Sequence, residues 1–117
     1  MDERLAELFG DGTPFEVDLV REILGSFLER SVDLLQRLTL AVAADDAEAT
    51  YLHAHTLAGA GLNLGTVEVV RISRQIERDA KAGEVAQSVD RLVALEVALD
   101  RARIQLRDVL TNLPDPT

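Results

Sequence analysis

At 117 residues the chain is long enough for one buried core, and with 47% apolar but only 3% aromatic residues that core must be Leu, Val, Ile and Ala. A formal charge of −9 argues against nucleic-acid phosphates and anionic membrane surfaces, both of which need clustered Lys and Arg. The absence of cysteine excludes disulfides, thiolate zinc sites and a Cys nucleophile.

Few turn formers and little alternating pattern point to an all-α fold. Residues 2 to 9 suit a short amphipathic helix with Leu5, Leu8 and Phe9 inward and Gly10 as its stop. After a turn at Asp11-Gly12, Thr13 can act as N-cap, Pro14 takes the first helical position and Glu16 closes a capping box. The helix that starts there should reach about Ala43. Its main stripe is Val20, Leu24, Phe27, Leu34, Leu38 and Ala41, widened by Ile23, Leu28, Leu35 and Val42, as suits a helix with two neighbours.

Asp45, with Glu48 three residues on, is the next capping signal, and the helix it opens should end at Leu64 with Gly65 at the left-handed C′ position. Thr66 can cap the following helix, whose inward face is Val69, Ile72, Ile76 and Ala80 and whose stop is Lys81-Ala82-Gly83. A last helix begins between Glu84 and Ser88 and runs to about Leu110. In it Leu92, Leu95, Leu99, Ala102, Leu106 and Val109 alternate at three and four, the spacing of bundle packing. Pro114 and Pro116 close the chain in a tail. The expected architecture is an antiparallel four-helix up-down bundle with a short extra N-terminal helix, one domain over residues 1–117. Its short, capped ends suit a free-standing protein.

The informative stretch is residues 51–66, which holds both histidines, three glycines and no charge. Ala47, Thr50, Ala54, Leu57, Gly61 and Leu64 follow at steps of three or four and make a narrow, small-residue inner face. At about 100° per residue, His53 lies roughly 70° from the centre of that face and should be half buried, whereas His55 lies roughly 130° away and should point to solvent. The two imidazoles diverge by about 200°, so they do not form a metal site together, and the Glu-x-x-His spacing of metal-binding bundles does not occur. Gly59, one turn after His55, stands in a helix interior where Gly costs about 1 kcal/mol relative to Ala. Leaving room for a partner beside His55 is a reason for it to be bare. A neutral imidazole is a nucleophile near neutral pH and can carry a group covalently. Phosphoryl transfer asks mainly for positioning and charge neutralisation, which a partner can complete.

The run His55-Thr56-Leu57-Ala58-Gly59-Ala60-Gly61-Leu62-Asn63-Leu64-Gly65 resembles the signature of histidine-containing phosphotransfer (HPt) domains, in which Ala-His-x-Leu-Lys-Gly precedes small residues and Asn-Leu-Gly. Ala54, His55, Leu57, Gly59, Asn63, Leu64 and Gly65 match. The acidic turn at Asp45-Asp46 and the Ile76-Glu77 pair fit the flanks. The resemblance extends over roughly residues 15 to 110 and implies a helical bundle whose histidine, His55 here, accepts a phosphoryl group from a receiver-domain aspartate and passes it to another. It implies a relay in two-component signalling and not a turnover enzyme, with no cofactor of its own, Mg²⁺ being supplied by the receiver domain of a response regulator or hybrid histidine kinase. Leu52, Thr56, Ala58, Gly59 and Leu62 surround His55 and are assigned to partner docking. One position departs from the pattern: the usual Lys is Ala58, and no Lys or Arg occurs between Arg37 and Arg71. An arginine from a neighbouring helix, such as Arg30, Arg71 or Arg74, is the expected substitute. Two other uses fit the same bundle, an adaptor that binds a receiver without chemistry and a purely structural assembly. No apolar run approaches the roughly 20 residues of a membrane span and no signal peptide opens the chain, so a monomer in the cytoplasm is expected.

Overall fold

Residues Pro14–Ala43 form one unbroken helix, α1, in the computed structural model, which describes residues 14–62, 64 and 66–114. At about 1.5 Å per residue α1 spans about 45 Å, close to the 50 Å long axis of the molecule. Its stripe is buried as the spacing requires, from Val20 and Leu24 through Phe27, Leu34 and Leu38 to Ala41, with Ile23, Leu28 and Leu35 packed on its margins. After it come α2 (Ala47–Leu62), α3 (Val67–Lys81), a 3₁₀ turn (Val85–Gln87) and α4 (Ser88–Thr111), with no strand among the described residues. The helices pack in cyclic order, α1 on α2, α2 on α3, α3 on α4 and α4 back on α1. This is the up-down bundle that short connections produce. The N-terminal helix expected at residues 2–9 and the Thr13 cap lie outside the described residues.

Three helix ends differ from the sequence reading, each for a local reason. Between α1 and α2 it is Asp46 that caps, its Oδ1 accepting the Ala49 N–H at 3.0 Å. Asp45 is used otherwise. It stands at φ +54, and the Asp45 and Asp46 amides return to the carbonyls of Val42 and Ala41, a Schellman closure of α1. α2 ends at Leu62, two residues early, because the Gly61 carbonyl accepts from the Leu64 and Thr66 amides and turns the chain there. Thr66 does not cap α3 with its side chain; its hydroxyl donates back to the same Gly61 carbonyl at 2.9 Å. Leu64 is still buried, but in the turn.

The α3–α4 connection is pinned by Asp79. Gly83 takes φ +76 and the Glu84 amide closes onto the Asp79 carbonyl. The Asp79 carboxylate then accepts from Arg91 Nε at 2.7 Å and Ser88 Oγ at 3.4 Å across the turn. Asp79 is largely shielded while Arg91 is part exposed, so Asp79→Ala should cost about 1–2 kcal/mol. Urea denaturation checks this as a lower midpoint with an unchanged slope. At the other end Arg21 Nη2 donates to the Pro114 carbonyl at 2.8 Å, which ties the chain beyond α4 to the first half of α1.

Candidate functional site

The site begins with how closely α2 and α3 approach. A Cβ on Gly61 would lie 2.6 Å from Thr66 Oγ1 and 3.2 Å from Val70 Cγ2, so only Gly allows the first turn of α3 to rest there. Ala54 and Ala58 continue that small-residue ridge along α2 and are fully buried. This corrects the docking assignment of Ala58. It is 1% exposed, because α2 packs against both α1 and α3 and its buried arc is wider than the narrow face read from spacing. The remaining assigned residues stay on the outside: Leu52, Gly59 and Leu62 are exposed and Thr56 is partly so. The Thr56 hydroxyl is spent on the Leu52 carbonyl, 2.9 Å away, and does not address His55.

His55 stands just outside the ridge, its side chain 60% exposed, and His53 lies half-buried away from it. Close helix approach brings Glu77 of α3 to it: Nδ1 of the imidazole is 2.5 Å from Glu77 Oε1. The Glu77 side chain is only 13% exposed, and its second oxygen lies 3.9 Å from Arg74 Nη1. On the N-terminal side the Tyr51 ring stacks on the imidazole, with centroids 5.8 Å apart and planes 11° from parallel. Helical side chains lean toward the N-terminus, so His55 leans onto the residue one turn before it. On the C-terminal side nothing among the described residues lies within 4 Å of where a Gly59 Cβ would be.

The arrangement fixes the tautomer. With Nδ1–H donating to a carboxylate, the lone pair of the neutral ring is on Nε2, at the edge turned away from Glu77. Of the arginines expected to stand near the histidine, Arg71 is held bidentate by Glu68, at 3.2 and 2.8 Å. That pairing holds the Glu68 carboxyl below and the Arg71 guanidinium above their ordinary values, through the hydrogen bond first and charge second. Arg30 belongs to a separate recess between α1 and α2, with Leu19, Ile23 and Phe27. Only Arg74 among those three reaches the His55–Glu77 pair. Two contacts of His55 do not follow from the inner face of α2 alone. Tyr51 was accessible through its i, i+4 spacing to His55, whereas the contact of Glu77 with His55 depends on inter-helix register. Asn63 and Gly65 of the signature lie outside the described residues.

The Hpt domain family matches residues 22–113. Among solved structures the fold is similar to the crystal structure of histidine-containing phosphotransfer protein B (HptB) from Pseudomonas aeruginosa PAO1, with a TM-score of 0.87 at 24% identity, covering 97% of this chain and 96% of that one. No curated protein matches the sequence. The family match takes in α2, α3, α4 and most of α1, with His55 and Glu77 inside it, and the chain belongs to the Hpt domain family.

Proposed function

We propose that His55 is the residue through which this chain works as a histidine phosphotransfer protein of a phosphorelay, taking a phosphoryl group from a receiver-domain aspartate and giving it to another. The observation that carries this reading is the pairing of Nδ1 with the shielded Glu77 carboxylate, which leaves Nε2 of a largely exposed side chain as the nucleophile. In the step, the Nε2 lone pair attacks phosphorus and the bond from phosphorus to the aspartyl oxygen breaks. The aspartate leaves as a carboxylate with the bonding electrons, and a P–N bond remains. The ring, still carrying Nδ1–H, becomes positive and faces Glu77, which is how a buried carboxylate favours an imidazolium. The reverse step passes the group on, so the protein is a carrier and not a turnover catalyst.

Leu52, Gly59 and Leu62, with Thr56 and the edge of Tyr51, form the face on which the receiver docks, and Mg²⁺ comes with that receiver. No helix among the described residues is long and apolar enough to cross a membrane; a monomer acting in the cytoplasm is the form we assign to this function. The test is incubation with a receiver domain phosphorylated by acetyl phosphate. Wild type and His53→Gln are expected to gain acid-labile, base-stable phosphate, and His55→Gln none. Uptake by His55→Gln, or none by wild type from any receiver of the same organism, overturns the reading.

A further inference from the structure

We infer that Arg74 supplies the cation that holds the phosphoryl group on His55, an inference that rests on His55 being the phosphorylated residue. A phosphoryl group on Nε2 brings close to two negative charges beside the Glu77 carboxylate. Its own helix has nothing to balance them, since the sequence has no Lys or Arg from position 38 to position 70. A cation supplied by this chain therefore comes from another helix.

The register of α2 against α3 says which one. Two contacts fix it independently: His55 meets Glu77, and Gly61 lies against Val69 and Val70. The helices run antiparallel, so position 58, halfway between, lies level with residues 73 and 74. Ser73 is buried there and Arg74 is exposed. Arg74 thus stands one turn beyond His55, on the Gly59 side, where no described residue lies within 4 Å of a Gly59 Cβ. Ala58 at the same level is sealed between the helices, so a cation at that height has its way to solvent from α3.

Arg74 is also poised to move. Its Nη1 is 3.9 Å from Glu77 Oε2, beyond hydrogen-bond length, and its side chain is 45% exposed. Arg71 and Arg91 are engaged by Glu68 and Asp79 at hydrogen-bond distance. Lys81, one turn past Glu77 in the other direction, is level with Tyr51, whose ring covers that side of the imidazole. When the phosphoryl group arrives, the Arg74 guanidinium shifts from Glu77 to the phosphoryl oxygens, a charge-assisted contact in which no bond is made or broken.

The test compares wild type with Arg74→Gln, Arg74→Lys and Lys81→Gln. It reads the rate of uptake from a receiver phosphorylated by acetyl phosphate, the ³¹P pH titration of the phosphorylated protein, and thermal melting. Arg74→Gln is expected to slow uptake about tenfold, the worth of one modest charge pair near a surface. Loss of the cation also raises the midpoint at which the phosphoryl group becomes dianionic, while melting is unchanged. Arg74→Lys recovers part of both effects, and Lys81→Gln stays within about twofold of wild type. Wild-type uptake and titration in Arg74→Gln overturn the inference and leave the function of His55 standing, as does a loss that only Lys81→Gln shows. A wild type that takes up no phosphate overturns both.

Discussion

Gly61→Val is expected to destabilise the protein by about 2–3 kcal/mol, while Gly59→Gln leaves the fold intact and slows phosphoryl uptake more than tenfold. The two glycines sit two residues apart on one helix and do opposite jobs. At Gly61 the first added carbon already meets the Thr66 hydroxyl at 2.6 Å, and that hydroxyl is buried and bonded to the Gly61 carbonyl. Turning it away leaves an unpaired polar group, and moving α3 instead opens the Ala54–Ala58 ridge, so either relaxation is costly. At roughly 4 °C per kcal/mol, where the ranges for smaller and larger domains meet, melting should fall by about 8–12 °C. At Gly59 no described residue within 4 Å opposes a side chain, and helix propensity improves by up to about 1 kcal/mol. In the proposed transfer the cost there falls on the receiver, which would bring its aspartyl phosphate to Nε2 through the space a glutamine would fill. Thermal denaturation and an uptake assay on both variants separate the roles. A Gly61→Val protein that melts like wild type, or a Gly59→Gln protein that accepts phosphate at the wild-type rate, contradicts this division.

The long stripes of α1 and α4 were legible because many residues vote for one period: Val20 to Ala41 and Leu95 to Leu106 are buried where the spacing puts them. The outward direction of His55 was legible too, from one angle on one helix. Boundaries were less so, because they depend on competition between adjacent groups. Asp45 and Asp46 can both cap; what decides is that one of them must also adopt φ +54 to close α1. Thr66 has a free choice of acceptor in sequence and finds the Gly61 carbonyl only because the chain turns back over it. Ala58 shows the limit of a single-helix argument. Its angle resembles that of half-buried His53, yet it is sealed, because α3 approaches on its side as closely as Gly61 permits. The same approach delivers Glu77 to His55 across 22 positions of sequence, a relation that no pattern within α2 carries.

Glu77→Ala is expected to lower the rate of phosphoryl uptake about a hundredfold, and Glu77→Gln only about tenfold, with little change in stability in either case. A neutral imidazole in water favours the proton on Nε2, the nitrogen that attacks in the proposed transfer. Glu77 reverses this preference by accepting from Nδ1 at 2.5 Å. Alanine removes the acceptor, so most histidine side chains then carry the proton on the wrong nitrogen, and the ring is free to swing off Tyr51. It also removes the negative charge that faces the ring as it becomes positive. Glutamine separates the two contributions: its amide oxygen still accepts from Nδ1–H and holds the tautomer, but the charge is gone. The ¹⁵N resonances of the His55 ring distinguish the cases, with a single Nδ1–H tautomer in wild type and Glu77→Gln and a mixture in Glu77→Ala. Equal rates in Glu77→Gln and Glu77→Ala would mean that charge alone matters and the tautomer does not. A wild-type rate in Glu77→Ala would show that the partner, rather than α3, prepares the histidine.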